Sequence, residues 1–292
     1  MDDLSITDAV TSPSPLGALD VAVGRATEAL LKLQRPDGHW VFELEADATI
    51  PAEYVLFVHY LAEPADLELE RKIGVYLRRI QGAHGGWPLF NGGALDVSAT
   101  VKAYFALKMI GDPVDAPHMV RAREALLARG GAGACNVFTR ILLALFGILS
   151  WRAVPEMPVE IMLLPRWFPI HLSKISYWAR TVIVPLLVLR KLKPRARNPR
   201  GVSIDELFLQ PPASITKLAR GAHQKEPWAS GFFALDQVLR VVEPRFPKGS
   251  QQRALDKAVA FVDERLNGVD GLGGIFPAMV NSVMMYDALG YP

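Results

Sequence analysis

Residues able to do acid, base or metal chemistry are thinly spread along this sequence. The six histidines (His39, His59, His84, His118, His171 and His223) show no HExxH spacing and the single Cys135 no CxxC, so no metal site is expected. One thiol also excludes an internal disulfide and fits a reducing compartment. Gly130, Gly131 and Gly133 have the composition of a phosphate loop, but no strand precedes them and a helix–helix turn is the simpler reading. No carboxylate pair stands at a spacing suited to acid and base roles, which argues against a helical-barrel glycosidase. The ordered set is aromatic. Gln34, Gly38 and Trp40 occupy a Q-x-x-x-G-x-W pattern, and Gln81, Gly85 and Trp87 repeat it with the tryptophans 47 residues apart.

Helices must position these residues. Apolar spacing near 3.6 with breakers beyond it predicts helices over 16–34, 48–61, 66–80, 97–110, 117–129, 137–149, 170–190 (kinked at Pro185), 228–242, 251–266 and 275–289. Period-2 alternation is nowhere sustained, so the chain reads as all-α. Prolines at 155, 158, 165 and 169 rule out a continuous helix between 153 and 169, and 191–224 reads as a long excursion of the kind that is often functional or mobile. Each tryptophan motif closes one helix and precedes another, with glycine supplying the positive φ of a tight exit and glutamine satisfying free backbone groups. A period of this length suits stacked helix pairs, open as a solenoid or closed as an α/α barrel. Residues 267–276 hold an eroded third copy that keeps the glycines and Phe276.

Composition sets the surroundings. The 292 residues are 50% hydrophobic and 21% charged, with a mean hydropathy of +0.18. That is oily for a soluble chain and points to a membrane surface or a greasy ligand. A net charge of +2 argues against nucleic acid as a partner. The most apolar runs, 141–151 and 181–189, are too short to span a bilayer. Residues 1–15 form a loose acidic start without the features of a secretory signal, so a cytoplasmic location is expected.

Several segments, in order along the chain, resemble those of the squalene–hopene cyclases. They are the two tryptophan motifs, Glu53-Tyr54-Val55-Leu56, the stretch DVSATVKAYFALKMIG over 96–111, Val137-Phe138-Thr139-Arg140, Pro158-Val159-Glu160-Ile161-Met162, Trp178-Ala179-Arg180 and Gly273-Gly274-Ile275-Phe276-Pro277. The likeness runs from about residue 20 to the end. It implies an α/α barrel of helix pairs with QW-type repeats over 16–292, which is the N-terminal domain of a two-domain enzyme attached to the cytoplasmic face of a membrane. That enzyme needs no cofactor: it protonates squalene and steers a cascade of ring closures to hopene or hopanol. The family's acid is the middle aspartate of a D-x-D-D motif, which this chain lacks. Asp2-Asp3 and 66–70 (DLELE) read as a loose terminus and a solvated helix start. The chain alone is therefore expected to be inactive, with the catalytic C-terminal domain as partner and a homodimer of the complete protein left open.

The resemblance also assigns residues. Trp178 and Phe138 would line the cavity, where aromatic faces stabilise desolvated cations by about 2 kcal/mol or more. By type alone, Trp178 would sooner be core packing. Ile275, Phe276 and Pro277 would bound the cavity where the last cation is lost. Some members have a polar residue in place of Phe276, so a water-handling role there is in doubt. Glu53 would join a polar network near the product end, or cap a helix. Ile175 and Ile183 would constrict the channel from the membrane. Trp228, Phe232, Leu235, Leu239 and Val242 form one helical stripe, read either as core or as the membrane face. The run Arg190, Lys191, Lys193, Arg195, Arg197 fits anionic headgroups, or a solvated loop. A non-catalytic polyprenyl-lipid-binding or scaffold module is the alternative function.

Overall fold

The computed structural model describes residues 15–42, 45–216, 228–268 and 271–291; among these there are ten α-helices, short 3-10 turns and no strand. The chain divides into two compact units, 1–45 and 46–292. The first contains α1 (Pro15–Leu33) and the tryptophan turn after it. The second contains α2 (Thr49–Leu61), α3 (Leu67–Arg79), α4 (Val97–Ile110), α5 (Pro117–Leu127), α6 (Val137–Leu145), α7 (Tyr177–Leu192), α8 (Trp228–Val242), α9 (Lys248–Asp263) and α10 (Phe276–Leu289).

Local chemistry sets the helix ends. Asp66, Asp96, Asn136 and Ser176 are N-caps whose side-chain oxygens accept from the backbone N–H three residues on, at 2.7–3.1 Å. Ser176 explains why α7 starts at Tyr177 and not at residue 170: the preceding turn, Leu172–Lys174, is a separate 3-10 turn with its own cap, His171. Pro185 sits buried inside α7, which continues past it. The 137–149 helix ends at Leu145, and Gly147 at φ +71° lets the chain turn away. Similarly, α5 stops before Gly130 and Gly131, both at positive φ, in a plain helix–helix turn.

α4 is the central element of the second unit, buried from Ser98 to Leu107 on every side, and it packs on α2, α3, α5 and α6. α7 packs on α10 and α9, and α10 reaches α2. The proline-rich stretch forms 3-10 turns at Trp151–Ala153 and Val159–Leu163, the latter against α9. Buried Arg140 holds this region by donating to the carbonyls of Gly133, Cys135 and Ala153 at 2.5, 3.2 and 3.1 Å. The excursion after α7 is pinned through its described part. Arg197 and Asn198 donate backbone N–H groups to Tyr60 and His59 carbonyls at 3.0 and 3.1 Å. Arg200 meets Glu70 at 3.0 Å, and Glu70 also takes His59 Nε2 at 2.6 Å.

The two tryptophan motifs have the same hydrogen bonds. In each, the glutamine amide donates to the glycine carbonyl four residues on at 2.6 Å, and the glycine sits at φ +90°. The indole donates to a carbonyl in the last turn of the preceding helix, Leu30 at 2.7 Å and Leu77 at 2.8 Å. The tryptophan therefore does more than cover the helix end: it caps one of the carbonyls that a helix terminus leaves unpaired. The second copy also ties α3 to α5, because Gln81 donates to the His118 carbonyl and accepts from Arg121. At Gly85 a Cβ would lie 2.8 Å from the Arg121 carbonyl, so glycine is required there by space as well as by φ. In the third segment Leu272, Gly273 and Gly274 keep positive φ without an indole, while 269–270 lie outside the described residues.

Candidate functional site

A hollow of about 200 Å³ opens between α2, α4, α6, α7 and α10. Each long flank is a stripe at i, i+3 or i+4 spacing: Glu53, Phe57 and Tyr60 from α2; Phe138, Ile141, Leu142 and Leu145 from α6; Trp178, Val182 and Leu186 from α7; Pro277, Val280, Asn281 and Met284 from α10. First-turn residues form the mouth, where Phe138 and Trp178 are 46% and 55% exposed. Residues one to three turns further along form the floor, where Tyr60, Leu145, Leu186 and Met284 are buried. Phe146 joins the floor, its ring edge-on to Phe105 at 4.9 Å and to Tyr60 at 6.4 Å.

The polar groups are few. Glu53 accepts a hydrogen bond from the buried ammonium of Lys102, which projects from the middle of α4. Asn136 and Thr49 line the same region, but Asn136 Oδ1 is occupied as the α6 cap. Among the described residues the Tyr60 hydroxyl finds no hydrogen-bond partner, and burial, reinforced by nearby Asp287, pushes its pKa up to about 12. Among the described residues Glu53 is the only carboxylate lining the hollow, and an acid paired to an ammonium is poorly suited to protonating an alkene. Cys135 is inert, because burial raises its thiol to about 12. Among the described residues no group of His, Cys, Asp and Glu is arranged to hold a metal.

Of the residues named from the sequence, Glu53, Phe138, Trp178 and Pro277 come together around this hollow. Ile275 and Phe276 lie beside it, partly buried against the core, and do not line it. Ile175 is 38% exposed ahead of α7, and Ile183 is packed within it; neither lines the hollow. Lys102, Tyr60 and Asn281 were not anticipated. A lysine in the middle of the apolar run of α4, a turn and a half before the second lysine at 108, was the available signal for Lys102.

α8 is built the opposite way from a core helix. Its inward side is ionic: Asp236 is buried, accepts the Glu156 N–H at 2.7 Å and pairs with Arg240 at 2.7 Å, while Arg240 donates to the Val154 carbonyl at 3.0 Å. Phe232, Val238 and Val241 are 57–59% exposed, and Leu235 and Val242 about 40%. Leu239 is half-buried, and the side chain of Trp228 lies outside the described residues. Residues 167–178 expose further apolar surface through Trp167, Ile170, Ile175 and Tyr177. No helix among the described residues is long and apolar enough to cross a membrane. The basic run does not act as one face: Arg190 is buried on Glu156, Lys191 pairs with Glu243 and Arg197 with Asp287.

These features define an all-helical domain folded around an aromatic-rimmed apolar hollow. Its sequence matches the squalene-hopene cyclase N-terminal domain over residues 23–292, and the chain belongs to that family. It is 65% identical over 272 residues to the squalene–hopene cyclase of Bradyrhizobium diazoefficiens, covering 93% of this chain and 41% of that protein. It is 64% identical to the squalene–hopene cyclase of Zymomonas mobilis subsp. mobilis, covering 96% and 42%. The dammaradiene synthase of Dryopteris crassirhizoma is 34% identical, covering 94% and 39%. The chain thus spans about two fifths of the length of these relatives.

Proposed function

We propose that this chain is the cavity-wall and membrane-contact domain of a cyclase that converts squalene to hopene or hopanol, with the initiating acid supplied outside this chain. The observation that carries the reading is the convergence of Glu53, Phe138, Trp178 and Pro277 on one apolar hollow in a chain of this family. At about 200 Å³ the hollow falls below the roughly 300–1,000 Å³ of typical ligand sites, which fits one wall of a larger chamber. In this reading the helix pairs, held by QW-type clasps, curl into an α/α barrel. The clasp geometry at Trp40 and Trp87 and the common polarity of α2, α6, α7 and α10 around the hollow support it.

The chemistry asked of these residues is passive. Hopene is an isomer of squalene, so no electrons enter and no cofactor is needed; hopanol differs by one water. A proton adds to the terminal alkene, the cation migrates as rings close, and the last cation either loses a proton to give hopene or captures water, which then loses a proton, to give hopanol. Trp178 and Phe138 offer π-faces to that cation without capturing it. Glu53, held by Lys102, would orient a water or take up charge near the last cation, with Ile275, Phe276 and Pro277 bounding that end. Ile175 and Ile183 would line the path from the bilayer. The exposed apolar face of α8, including Phe232 and Leu235 with the half-buried Leu239, would rest in the membrane, as would Trp228 at the start of the same helix.

The test is reconstitution. The intact protein, containing this chain joined to or co-expressed with the rest of the enzyme, should convert squalene to hopene or hopanol by gas chromatography–mass spectrometry, and this chain alone should not. A folded, complete protein that forms neither product rejects the proposal. Saturable squalene binding without turnover would favour the non-catalytic lipid-binding alternative.

A further inference from the structure

A second concavity, of about 770 Å³, lies between residues 144–152, the C-terminal end of α7 and the C-terminal end of α8. Its lining is cationic: Arg152, Arg190, Lys193, Arg195 and Arg240 stand against only Glu156 and Glu243. Both carboxylates are already committed, Glu156 to Arg190 at 2.5 Å and Glu243 to Lys191 at 2.6 Å, and Arg240 is held by Asp236. Arg152, Lys193 and Arg195 are exposed, and among the described residues their side chains form no hydrogen bond or ion pair, although the Lys193 charge is felt at Glu156. Arg195 lies over Gly147, where a Cβ would come within 2.9 Å of its Nε, so the glycine leaves room for the guanidinium.

A diffuse basic surface would not account for Arg190. Its side chain is 3% exposed, stacked on the Trp151 ring at 5.6 Å, and bonded through Nε to the Pro155 carbonyl and through Nη2 to Glu156. The remaining nitrogen, Nη1, is out of water and has no partner among the described residues. A buried guanidinium with a spare donor beside three exposed cations is an incomplete anion site. The same cleft is walled by Arg240, Glu243 and Pro244 at the end of α8, the helix whose exposed side is apolar. Cations next to an apolar ledge match a ligand with an anionic head and a hydrocarbon tail.

We propose that this cleft binds a phosphoryl group, carried by the headgroup of an anionic lipid whose chains lie along α8. Arg190 Nη1 and Arg195 would donate to the phosphoryl oxygens, with Arg152 and Lys193 completing the charge. The proposal rests on the reading of α8 as the membrane-contacting helix and adds a headgroup specificity to it.

The intact protein is tested by co-sedimentation with vesicles of phosphatidylcholine alone and of phosphatidylcholine with phosphatidylglycerol, at low and physiological salt. The variant R152Q/K193Q/R195Q, which removes no hydrogen bond seen in the fold, should bind the phosphatidylglycerol vesicles on the order of tenfold to a hundredfold more weakly. It should bind neutral vesicles as the parent does. The control K72Q/R253Q/K257Q removes the same charge from α3 and α9 and should have a much smaller effect. Equal losses in both variants, or none in the first, overturn the site. If the parent binds neither vesicle, the membrane reading of α8 fails; calorimetry with glycerol 1-phosphate then decides the cleft separately. Binding abolished by R152Q/K193Q/R195Q keeps a phosphoryl site with a soluble ligand, and no binding overturns it.

Discussion

Trp87 and Trp40 make the same bond in different surroundings, which allows one hydrogen bond to be weighed against burial. Trp87 is fully buried, so Trp87→Phe leaves the Leu77 carbonyl without a donor and should cost about 1–3 kcal/mol in denaturant unfolding. Trp40 is 42% exposed, and water can replace its indole at Leu30, so Trp40→Phe should cost less. The Glu70 carboxylate is a sharper case. It is buried with His59 and also meets the more exposed Arg200, which keeps its bond to the Met109 carbonyl, so Glu70→Ala strands His59 alone, for an expected loss of about 1–3 kcal/mol in denaturant unfolding. Asp112 adds a pH signature. Burial alone would raise its pKa, but the two-pronged bond from Arg78 and the bond from His118 outweigh that and hold it below the usual carboxylate range. Its folded pKa is therefore below its unfolded one, and its contribution is complete above about pH 4 and lost as pH falls through the folded value. Unfolding measured from neutral to acid pH should show Asp112→Asn least stable relative to the parent at pH 7, with the gap closing in acid.

At the scale of the element, periodicity and caps located the helices well. The bounds read for 97–110 and 228–242 coincide with α4 and α8; the largest shift, at the start of α7, is set by the Ser176 cap, the early end of α6 by the turn at Gly147, and the helix read over 251–266 starts and ends three residues earlier, as α9. What periodicity could not say is which way an amphipathic helix faces. The stripe on α8 fits burial or exposure equally well; the hydrogen bonds of the paired Asp236 and Arg240 to the backbone of Glu156 and Val154, distant in sequence, turn the polar side inward. Substituting Phe232 and Val238 together by serine should accordingly change folding stability by less than about 0.5 kcal/mol and reduce vesicle association. A large loss of stability instead would mean that this face is packed in the intact protein.

For the molecule as a whole, four helices of like polarity surround one apolar hollow, and the proposed chemistry depends on its rim. In the complete protein, Trp178→Leu removes a π-face of about 2 kcal/mol, so hopanoid formation should slow by roughly 30-fold and incompletely cyclised products should rise in the chromatogram. Unchanged rate and products would place Trp178 outside the cation's path.

The linear order of residues was enough to establish the helices, the Q-x-x-x-G-x-W turns and membership of the family, because caps, turn glycines and apolar repeats act over a few residues and leave their mark in the sequence. It also indicated Glu53, Phe138, Trp178 and Pro277, although only through likeness to relatives. Tertiary structure alone decided that Lys102 meets Glu53 from 49 residues away, that Tyr60 ends the hollow with a bare hydroxyl, and that Arg190 keeps an unused donor in a cationic cleft. The reason is physical: desolvation and ion pairing are set by neighbours in space, and a lysine or arginine in the sequence has the same composition whether its charge faces water or a cavity wall.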